Sequence, residues 1–310
     1  MRPSTVFASI DTLQARLTDH RYICDPGLAT VIYLAYQLSK PIFLEGEPGV
    51  GKTEVGLVLA NLLTTDLIRL QCYEGLDANT ALYEWNYVKQ LLRIKMEEQC
   101  RKDPDEIGNL IYSEEFLIKR PLLKAIQSAN DRAPVLLIDE LDRADEEFEA
   151  FLLEVLSDFQ ITIPEIGTLK ATHRPLVVIT SNRTRDIHDA LKRRCLYHWI
   201  DYPDYAKELQ IIRARLPGVE IRMAEQVIHF MQTLRQQDLI KKPGISETLD
   251  WTEALIKLNV AKLDPTVVEQ TVGRILKYRE DLQQFQAAIW SDPQQRASLL
   301  NDSQNKSSYE

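Results

Sequence analysis

A glycine-rich turn between an apolar strand pattern and an apolar helix pattern is the feature that most constrains this chain. Residues 46–53 read Gly-Glu-Pro-Gly-Val-Gly-Lys-Thr and fit the G-x-x-x-x-G-K-S/T pattern of a phosphate-binding loop. Residues 41–45 are mostly apolar, and residues 54–63 favour a helix. Glycines let the backbone approach phosphate oxygens closely, and a helix N-terminus favours a negative ligand. The pattern therefore predicts an α/β fold with a nucleotide site.

Several residues of this loop have distinct predicted roles. We expect Lys52 to reach the β- and γ-phosphates, and the Thr53 hydroxyl to ligate Mg²⁺. The residues expected to contact the nucleotide are Gly46, Glu47, Pro48, Gly49, Val50, Gly51, Lys52, Thr53 and Glu54. The alternative is a chance glycine turn, which the flanking strand and helix patterns disfavour.

Length and charge restrict the class of protein further. A chain of 310 residues can hold one large and one small domain. Its net charge of −9 disfavours a general nucleic-acid-binding surface. No apolar run reaches the ~18 residues of a membrane span, and the N-terminus lacks the pattern of a secretory signal. Four separated cysteines and five scattered histidines indicate neither a disulfide framework nor a metal cluster, so we expect a cytoplasmic protein with reduced thiols.

Strand and helix patterns alternate up to about residue 201, and only helical patterns follow. Residues 135–138 are apolar at every position, which is typical of a parallel strand covered on both faces. We predict an α/β nucleotide-binding domain over residues 1–203, an all-α lid domain over 204–292 and a disordered polar tail over 293–310. Shorter predicted elements are an interrupted helix over residues 75–99, a helix over 115–130 and a β-hairpin over 160–171.

The strand at residues 135–138 ends in two adjacent carboxylates, Asp139 and Glu140. We expect Asp139 to hold the hydration shell of Mg²⁺, and Glu140 to orient and activate the attacking water. The loop and this acidic pair both end at the carboxyl edge of the predicted sheet, where open α/β sheets bind ligands. A solvated acidic strand end is the alternative.

Two later features complete the candidate site. Asn182 follows a strand pattern, where it could hydrogen-bond the γ-phosphate or the water, or merely cap the strand. Arg193 and Arg194 end a short helix pattern, where they could simply favour the helix dipole. If the subunits form a ring, one of the two could instead reach a neighbour's γ-phosphate as an arginine finger.

These elements, in this order and spacing, resemble those of AAA+ ATPases over about residues 20–290. Residues 142–145 and the hairpin pattern resemble the MoxR branch of that family. Four stretches are similar to the carbon-monoxide-dehydrogenase maturation ATPases within it: residues 82–87, 116–123, 189–197 and 243–251.

The resemblance implies a parallel five-stranded sheet of order 5-1-4-3-2, a helical lid, ATP and Mg²⁺ as ligands, and a ring that is most often a hexamer. It makes Asn182 the sensor-1 residue and Arg193 or Arg194 the finger, and it places Tyr22 and Ile23 near the adenine. The partners it implies are a von Willebrand factor A domain protein and a metalloenzyme client, such as a molybdenum hydroxylase.

One departure from the family pattern concerns the lid. Many AAA+ lids carry a sensor-2 arginine where this chain has Ser246 and Glu247. A glutamate cannot pair with a γ-phosphate. Either another residue serves, with Arg274 as the candidate, or this lid senses nucleotide differently.

Three functions are compatible with these residues. The first is an ATP-driven ring that remodels or matures a metalloenzyme. The second is a nucleotide-gated binding module in which turnover is incidental, an alternative to which the missing lid arginine gives weight. The third is a nucleic-acid motor or a restriction-type GTPase, which the acidic balance disfavours.

Overall fold

The computed structural model describes residues 7–99, 108, 110–128 and 132–300. These residues form two compact units. The first, here called the sheet unit, comprises the residues up to Arg16 together with Asp25–Glu45 and Lys52–Trp199. The second, here called the helical unit, comprises Leu17–Cys24, Gly46–Gly51 and the residues from Ile200 onward.

The secondary structure alternates between strands and helices in the first two thirds of the chain and is helical thereafter. The strands are β1 (Ile42–Gly46), β2 (Leu67–Gln71), β3 (Tyr83–Trp85), β4 (Leu117–Lys119), β5 (Val135–Asp139), β6 (Gln160–Ile163), β7 (Gly167–Lys170), β8 (Leu176–Ser181) and β9 (Leu196–Ile200). The helices are α1 (Ile10–Asp19), α2 (Pro26–Leu38), α3 (Lys52–Leu63), α4 (Ala78–Leu82), α5 (Tyr87–Gln99), α6 (Pro121–Ile126), α7 (Glu146–Asp158), α8 (Asp189–Lys192), α9 (Tyr205–Arg215), α10 (Ile221–Arg235), α11 (Ile245–Lys257), α12 (Pro265–Thr271), α13 (Arg279–Gln284) and α14 (Pro293–Leu300).

A parallel five-stranded sheet, in the order β2-β5-β8-β1-β9, is the centre of the sheet unit. Numbered along the chain within this sheet, the order is 5-1-4-3-2, as predicted. Strands β1, β5 and β8 are buried at every position because helices cover both faces. Phe43, Leu136 and Ile179 pack in the resulting core. The predicted α/β nucleotide-binding fold is confirmed.

The region between β2 and β5 agrees with its prediction in part. The interruption expected in the helix over residues 75–99 is confirmed: two helices are separated by β3, and the pairing of β3 with β4 is what the prediction lacked. The prediction of one continuous helix over residues 115–130 is wrong. Pro121 prevents it, because a proline disfavours helical backbone at the residue before it. Arg120 is accordingly extended, with φ −90° and ψ 172°. Among the described residues of this range only Pro121–Ile126 is α-helical, while Glu114–Phe116 forms a 3₁₀ turn; residues 129–130 lie outside the described part of the chain. The predicted hairpin is confirmed as β6 and β7.

The helical unit has its own apolar core, which includes the fully buried Trp251 and Phe230. Helix α14 adds Leu299 to this core, with 1% of that residue exposed. The disordered tail predicted from residue 293 is therefore wrong over Pro293–Leu300, because an apolar helical face there finds a partner surface. Residues 301–310 lie outside the described part of the chain.

Two further predictions concern the cysteine thiols and membrane-spanning helices. Cys24, Cys72 and Cys195 are free thiols, as predicted, and all three are buried, while Cys100 lies outside the described residues. Burial raises the pKa of Cys72 and of Cys195 to about 12, so both thiols are protonated at neutral pH. Within the described ranges, no helix has the length and apolar character required to cross a bilayer.

A buried ion pair joins three helices of the helical unit. Arg235 donates to both carboxylate oxygens of Glu208, at 2.7 and 2.8 Å, and both side chains are almost fully buried. Thr248 donates to Glu208 at 2.8 Å, and Nε of Arg235 donates to the carbonyl oxygen of Pro243 at 2.7 Å. The pair therefore fixes the turn that precedes α11.

Replacing Arg235 by Met should lower the free energy of unfolding by about 3–5 kcal/mol, since Glu208 would keep a buried charge without its partner. Urea unfolding followed by circular dichroism measures the change. The control is Arg213→Met on exposed α9 surface, which should change it by less than about 0.5 kcal/mol. Equal stability of the two variants would contradict the structural role of the pair.

Candidate nucleotide-binding site

The phosphate-binding loop leads from β1 into α3. Gly49 and Gly51 have φ values of +77° and +95°, which side chains other than glycine rarely allow. A Cβ on Gly46 would lie 2.1 Å from the carbonyl oxygen of Ile200, so only glycine fits there. Lys52, only 6% exposed, is the first residue of the helix. The loop therefore has the conformation that its glycines predicted.

Within the helical unit, this loop packs against the start of α11. The amide N–H of Ser246 donates to the carbonyl oxygen of Gly49 at 3.2 Å. A Cβ on Gly244 would lie 2.8 Å from the carbonyl oxygen of Pro48, so the two backbones are in close contact. Glycine at position 244 permits this approach.

Glu247, at the position expected for a sensor-2 arginine, caps α11. Its Oε2 accepts a hydrogen bond from the N–H of Gly244, the N-cap residue, at 2.9 Å, which is the half of a capping box that a glycine N-cap allows. The same oxygen would lie 3.0 Å from a Cβ on Gly49. A carboxylate at this position satisfies a backbone donor that an arginine could not. Arg274, the suggested substitute, is exposed on a 3₁₀ turn, and its role stays a prediction.

Asp139, at the end of β5, is the most densely hydrogen-bonded carboxylate of the candidate site. Its Oδ1 accepts from the hydroxyl of Thr53 at 2.9 Å and from that of Thr180 at 2.6 Å. Its Oδ2 accepts from Nη2 and Nε of Arg69, at 2.5 and 3.1 Å. The structure therefore brings together the two residues predicted to hold Mg²⁺, with two partners that sequence analysis missed.

Glu140 leaves the strand in a left-handed conformation, with φ 55° and ψ 51°. Such backbone is uncommon outside glycine and is found at functional sites when the surroundings enforce it. Here the N–H of Glu140 donates to the Thr180 hydroxyl at 2.9 Å. The Glu140 Oε2 accepts a hydrogen bond from Nε2 of Gln71 at 3.1 Å and forms an ion pair with Nε of Arg143 at 2.9 Å. These contacts set the position of the predicted catalytic carboxylate.

The segment that carries Asn182 is fixed by Asp142. This carboxylate accepts from the N–H of Asn182 at 3.1 Å, and from the N–H and hydroxyl of Thr184 at 2.9 and 2.7 Å. Burial opposes ionisation, but the hydrogen bonds from Thr184 and Asn182 outweigh it and hold the pKa of Asp142 below its usual value. Hydrogen bonding of the Asn182 side chain to nucleotide stays a prediction.

The remaining predicted residues are the two candidate finger arginines and the two residues expected near the adenine. Arg193 and Arg194 are exposed just after α8, and the Arg193 side chain is 82% exposed. Within the described ranges, no hydrogen bond or ion pair joins either arginine to the two carboxylates. Tyr22 and Ile23 are half-buried residues of the helical unit, which also contains the loop residues Gly46–Gly51. Their contact with an adenine stays a prediction.

The oxygen donors present suit magnesium better than a softer metal. Thr53 and Asp139 supply a hydroxyl and a carboxylate 2.9 Å apart, and Mg²⁺ is usually held by a few such oxygens together with water. In the part of the chain that the structure describes, no group of three or more His, Cys, Asp or Glu side chains could hold a metal. A zinc-type site is therefore absent from these residues.

Comparison with known proteins identifies the family. The model of the AAA domain, dynein-related subfamily, matches residues 41–195, half of the chain, and the chain belongs to this family. An uncharacterized protein of Staphylococcus epidermidis is 27% identical over 263 residues, which cover 82% of this chain and 90% of that protein. Another, from Staphylococcus haemolyticus, is 28% identical over 231 residues, which cover 72% and 78%.

Solved structures show a more distant likeness. RuvB of Thermotoga maritima, a Holliday junction branch migration motor, is 17% identical with a TM-score of 0.43, over 85% of this chain and 70% of RuvB. The match to the AAA domain model supports the AAA+ family prediction, while the narrower MoxR assignment stays a prediction.

Replacing Thr180 by Val should lower the free energy of unfolding by about 1–3 kcal/mol, because the buried Asp139 oxygen and the Glu140 N–H would each lose a partner. Denaturant unfolding of the nucleotide-free protein measures this loss. Thr162→Val is the matched control, since that hydroxyl pairs with Thr168 on the exposed side of a hairpin. The control should change stability by less than about 0.5 kcal/mol. Two equally stable variants would show that Thr180 does not support the carboxylates.

Proposed function

We propose that this chain hydrolyses ATP in a Mg²⁺-dependent reaction and works as an oligomeric ring. The observation that carries the proposal is the pairing of the Thr53 hydroxyl with Asp139 at 2.9 Å, with Glu140 next in the chain. A phosphate-binding loop, a metal-binding hydroxyl and carboxylate, and a second carboxylate are what hydrolysis of a nucleoside triphosphate requires. The AAA family supports the same conclusion.

The chain's own residues account for each part of the reaction. The backbone N–H groups of the loop, which Pro48 lacks, and the Lys52 ammonium would bind the phosphates, and Thr53 and Asp139 would hold Mg²⁺. When bound, the metal ion neutralises phosphate charge. Glu140 would accept a proton from water as the water oxygen attacks the γ-phosphorus and the bond to the ADP oxygen breaks. A hydrogen bond from Gln71 and an ion pair with Arg143 hold the Glu140 carboxylate in place for this step.

The larger role in this proposal is the remodelling or maturation of a metalloenzyme. The support is the resemblance of residues 82–87, 116–123, 189–197 and 243–251 to the carbon-monoxide-dehydrogenase maturation ATPases. A hexameric ring in the cytoplasm, a von Willebrand factor A domain partner and a metalloenzyme client are parts of the same proposal. Residues 1–203 would bind and hydrolyse the nucleotide, and residues 204–292 would act as the lid.

A nucleotide-gated binding module is the second candidate. The observation in its favour is Glu247, which caps α11 where many related lids carry an arginine. Such a module would need ATP binding but not turnover. If the protein is such a binding module, a cell that carries only the Glu140→Gln form would keep the function of this protein. If ATP hydrolysis drives remodelling, that cell would lose it.

Glu140→Gln should lower ATP turnover by about 10²–10⁴-fold while nucleotide affinity changes little, because the amide cannot accept the proton. Phosphate release and equilibrium binding of a fluorescent nucleotide measure the two properties. The matched control is Glu147→Gln, an exposed carboxylate in the first turn of α7, which should leave both unchanged. Full turnover in the Glu140 variant would overturn the assignment of the base.

Mixing two inactive variants should restore hydrolysis if the arginine finger acts between subunits. The double variant Arg193→Ala, Arg194→Ala keeps an intact phosphate site, and loss of a finger lowers turnover by about 10³-fold or more. Glu140→Gln subunits keep both arginines and can supply the finger to a neighbour. Activity should return on mixing the two and rise with protein concentration. Full activity of the double variant alone would refute a finger supplied in trans.

A further inference from the structure

Arg69 of β2 contacts the carboxylate that is expected to face the metal. Two nitrogens of its guanidinium bind the same oxygen, Oδ2 of Asp139. The Asp139 side chain is 2% exposed, whereas that of Arg69 is 51% exposed. An ionised carboxylate this deeply buried requires a counter-charge. Arg69 supplies that charge from the solvent side.

The four donors around Asp139 use the whole acceptor capacity of the carboxylate. Each of its oxygens has two lone pairs. Thr53 and Thr180 occupy those of Oδ1, and Arg69 occupies those of Oδ2. A divalent cation, or a water in its shell, can therefore reach this carboxylate only if one of the donors gives way.

Arg69 is the donor whose departure is least costly. Thr180 is buried and also accepts from the backbone N–H of Glu140, and Thr53 is itself an expected metal ligand. The guanidinium is half exposed, so water can solvate it after release. It also keeps a second acceptor, Oε1 of Gln71, which lies 2.7 Å from Nη2. An incoming divalent cation replaces the lost positive charge.

We propose that Arg69 is a positioning residue that competes with the divalent cation for Asp139, and so limits how strongly the metal enhances nucleotide binding. The proposal rests on the proposed function, since it presumes a metal-bound nucleotide at Thr53 and Asp139. Without metal, Arg69 keeps the buried carboxylate neutralised. With metal, part of the binding free energy goes into displacing the guanidinium.

The test compares nucleotide binding with and without metal. The dissociation constant of a fluorescent ADP analogue is measured in excess Mg²⁺ and in EDTA, and the ratio of the EDTA value to the Mg²⁺ value is the coupling between the two ligands. For Arg69→Met this ratio should rise about tenfold, the size expected for one partly screened charge contact. Metal then binds Asp139 without displacement, and the uncompensated carboxylate repels metal-free phosphates. A purely structural defect would raise the dissociation constants in Mg²⁺ and in EDTA by the same factor and leave their ratio unchanged.

Two further variants sharpen the experiment. Arg132→Met removes the same charge beside the opposite end of β5, where the guanidinium contacts the carbonyl oxygens of Leu63 and Thr64, and should leave the ratio as in the unmodified chain. Arg69→Lys keeps the charge but offers Asp139 one nitrogen in place of the two that Arg69 supplies. Its ratio should therefore lie between those of the unmodified chain and Arg69→Met. It also tests the proposal if Arg69→Met does not fold.

The outcomes separate this inference from the proposed function. If the unmodified chain binds the nucleotide in neither condition, the proposed function fails. If it binds and Mg²⁺ strengthens binding, but the Arg69→Met and Arg69→Lys ratios stay within twofold of its own or fall, the competition by Arg69 is overturned. A rise confined to the Arg69 variants supports it.

Discussion

Burial of the Asp139 carboxylate is the constraint on which the rest of the site depends. A charge at the end of an apolar strand is stable only if every lone pair is satisfied and a counter-charge is near. Thr53 from α3, Thr180 from β8 and Arg69 from β2 meet this requirement, so three neighbouring elements are drawn to one point. The residues that would bind the metal are thus already placed by the folding of the sheet.

Local patterns were sufficient to predict the sheet, the loop and the acidic pair. The glycine and lysine spacing of residues 46–53 is sufficient to predict the phosphate-binding loop. The unbroken apolar run at residues 135–138 is sufficient to predict a buried strand. Gln71 and Arg69 were missed because their role depends on strand pairing. Gln71 lies beside Asp139 only through the parallel register of β2 and β5, which no single stretch of sequence encodes. The signal present was the polar alternation at the carboxyl end of β2.

Tertiary partners contribute to both wrong predictions, in the first of them together with Pro121. The predictions over residues 115–130 and 293–310 came from local composition, but tertiary partners decided the structure of residues 117–119 and Pro293–Leu300. Residues 117–119 pair with β3, which satisfies backbone groups that a helix would have satisfied internally. Leu299 enters an apolar core of residues distant along the chain. Propensity and polarity are weak predictors wherever such a partner is available.

The need to satisfy backbone hydrogen-bonding groups also explains why this chain has Glu247 where many AAA+ lids carry an arginine. A helix that begins directly against the phosphate loop has unsatisfied amide donors, and a carboxylate three residues after the N-cap satisfies one of them. Glu247 does this for Gly244, whose lack of a side chain lets the turn contact Pro48 and Gly49. An arginine at this position would lose the cap and place a cation in its stead. Because the carboxylate shapes the turn against the loop, any response of this helix to nucleotide would have to pass through backbone contact with the loop instead of a charge on the γ-phosphate.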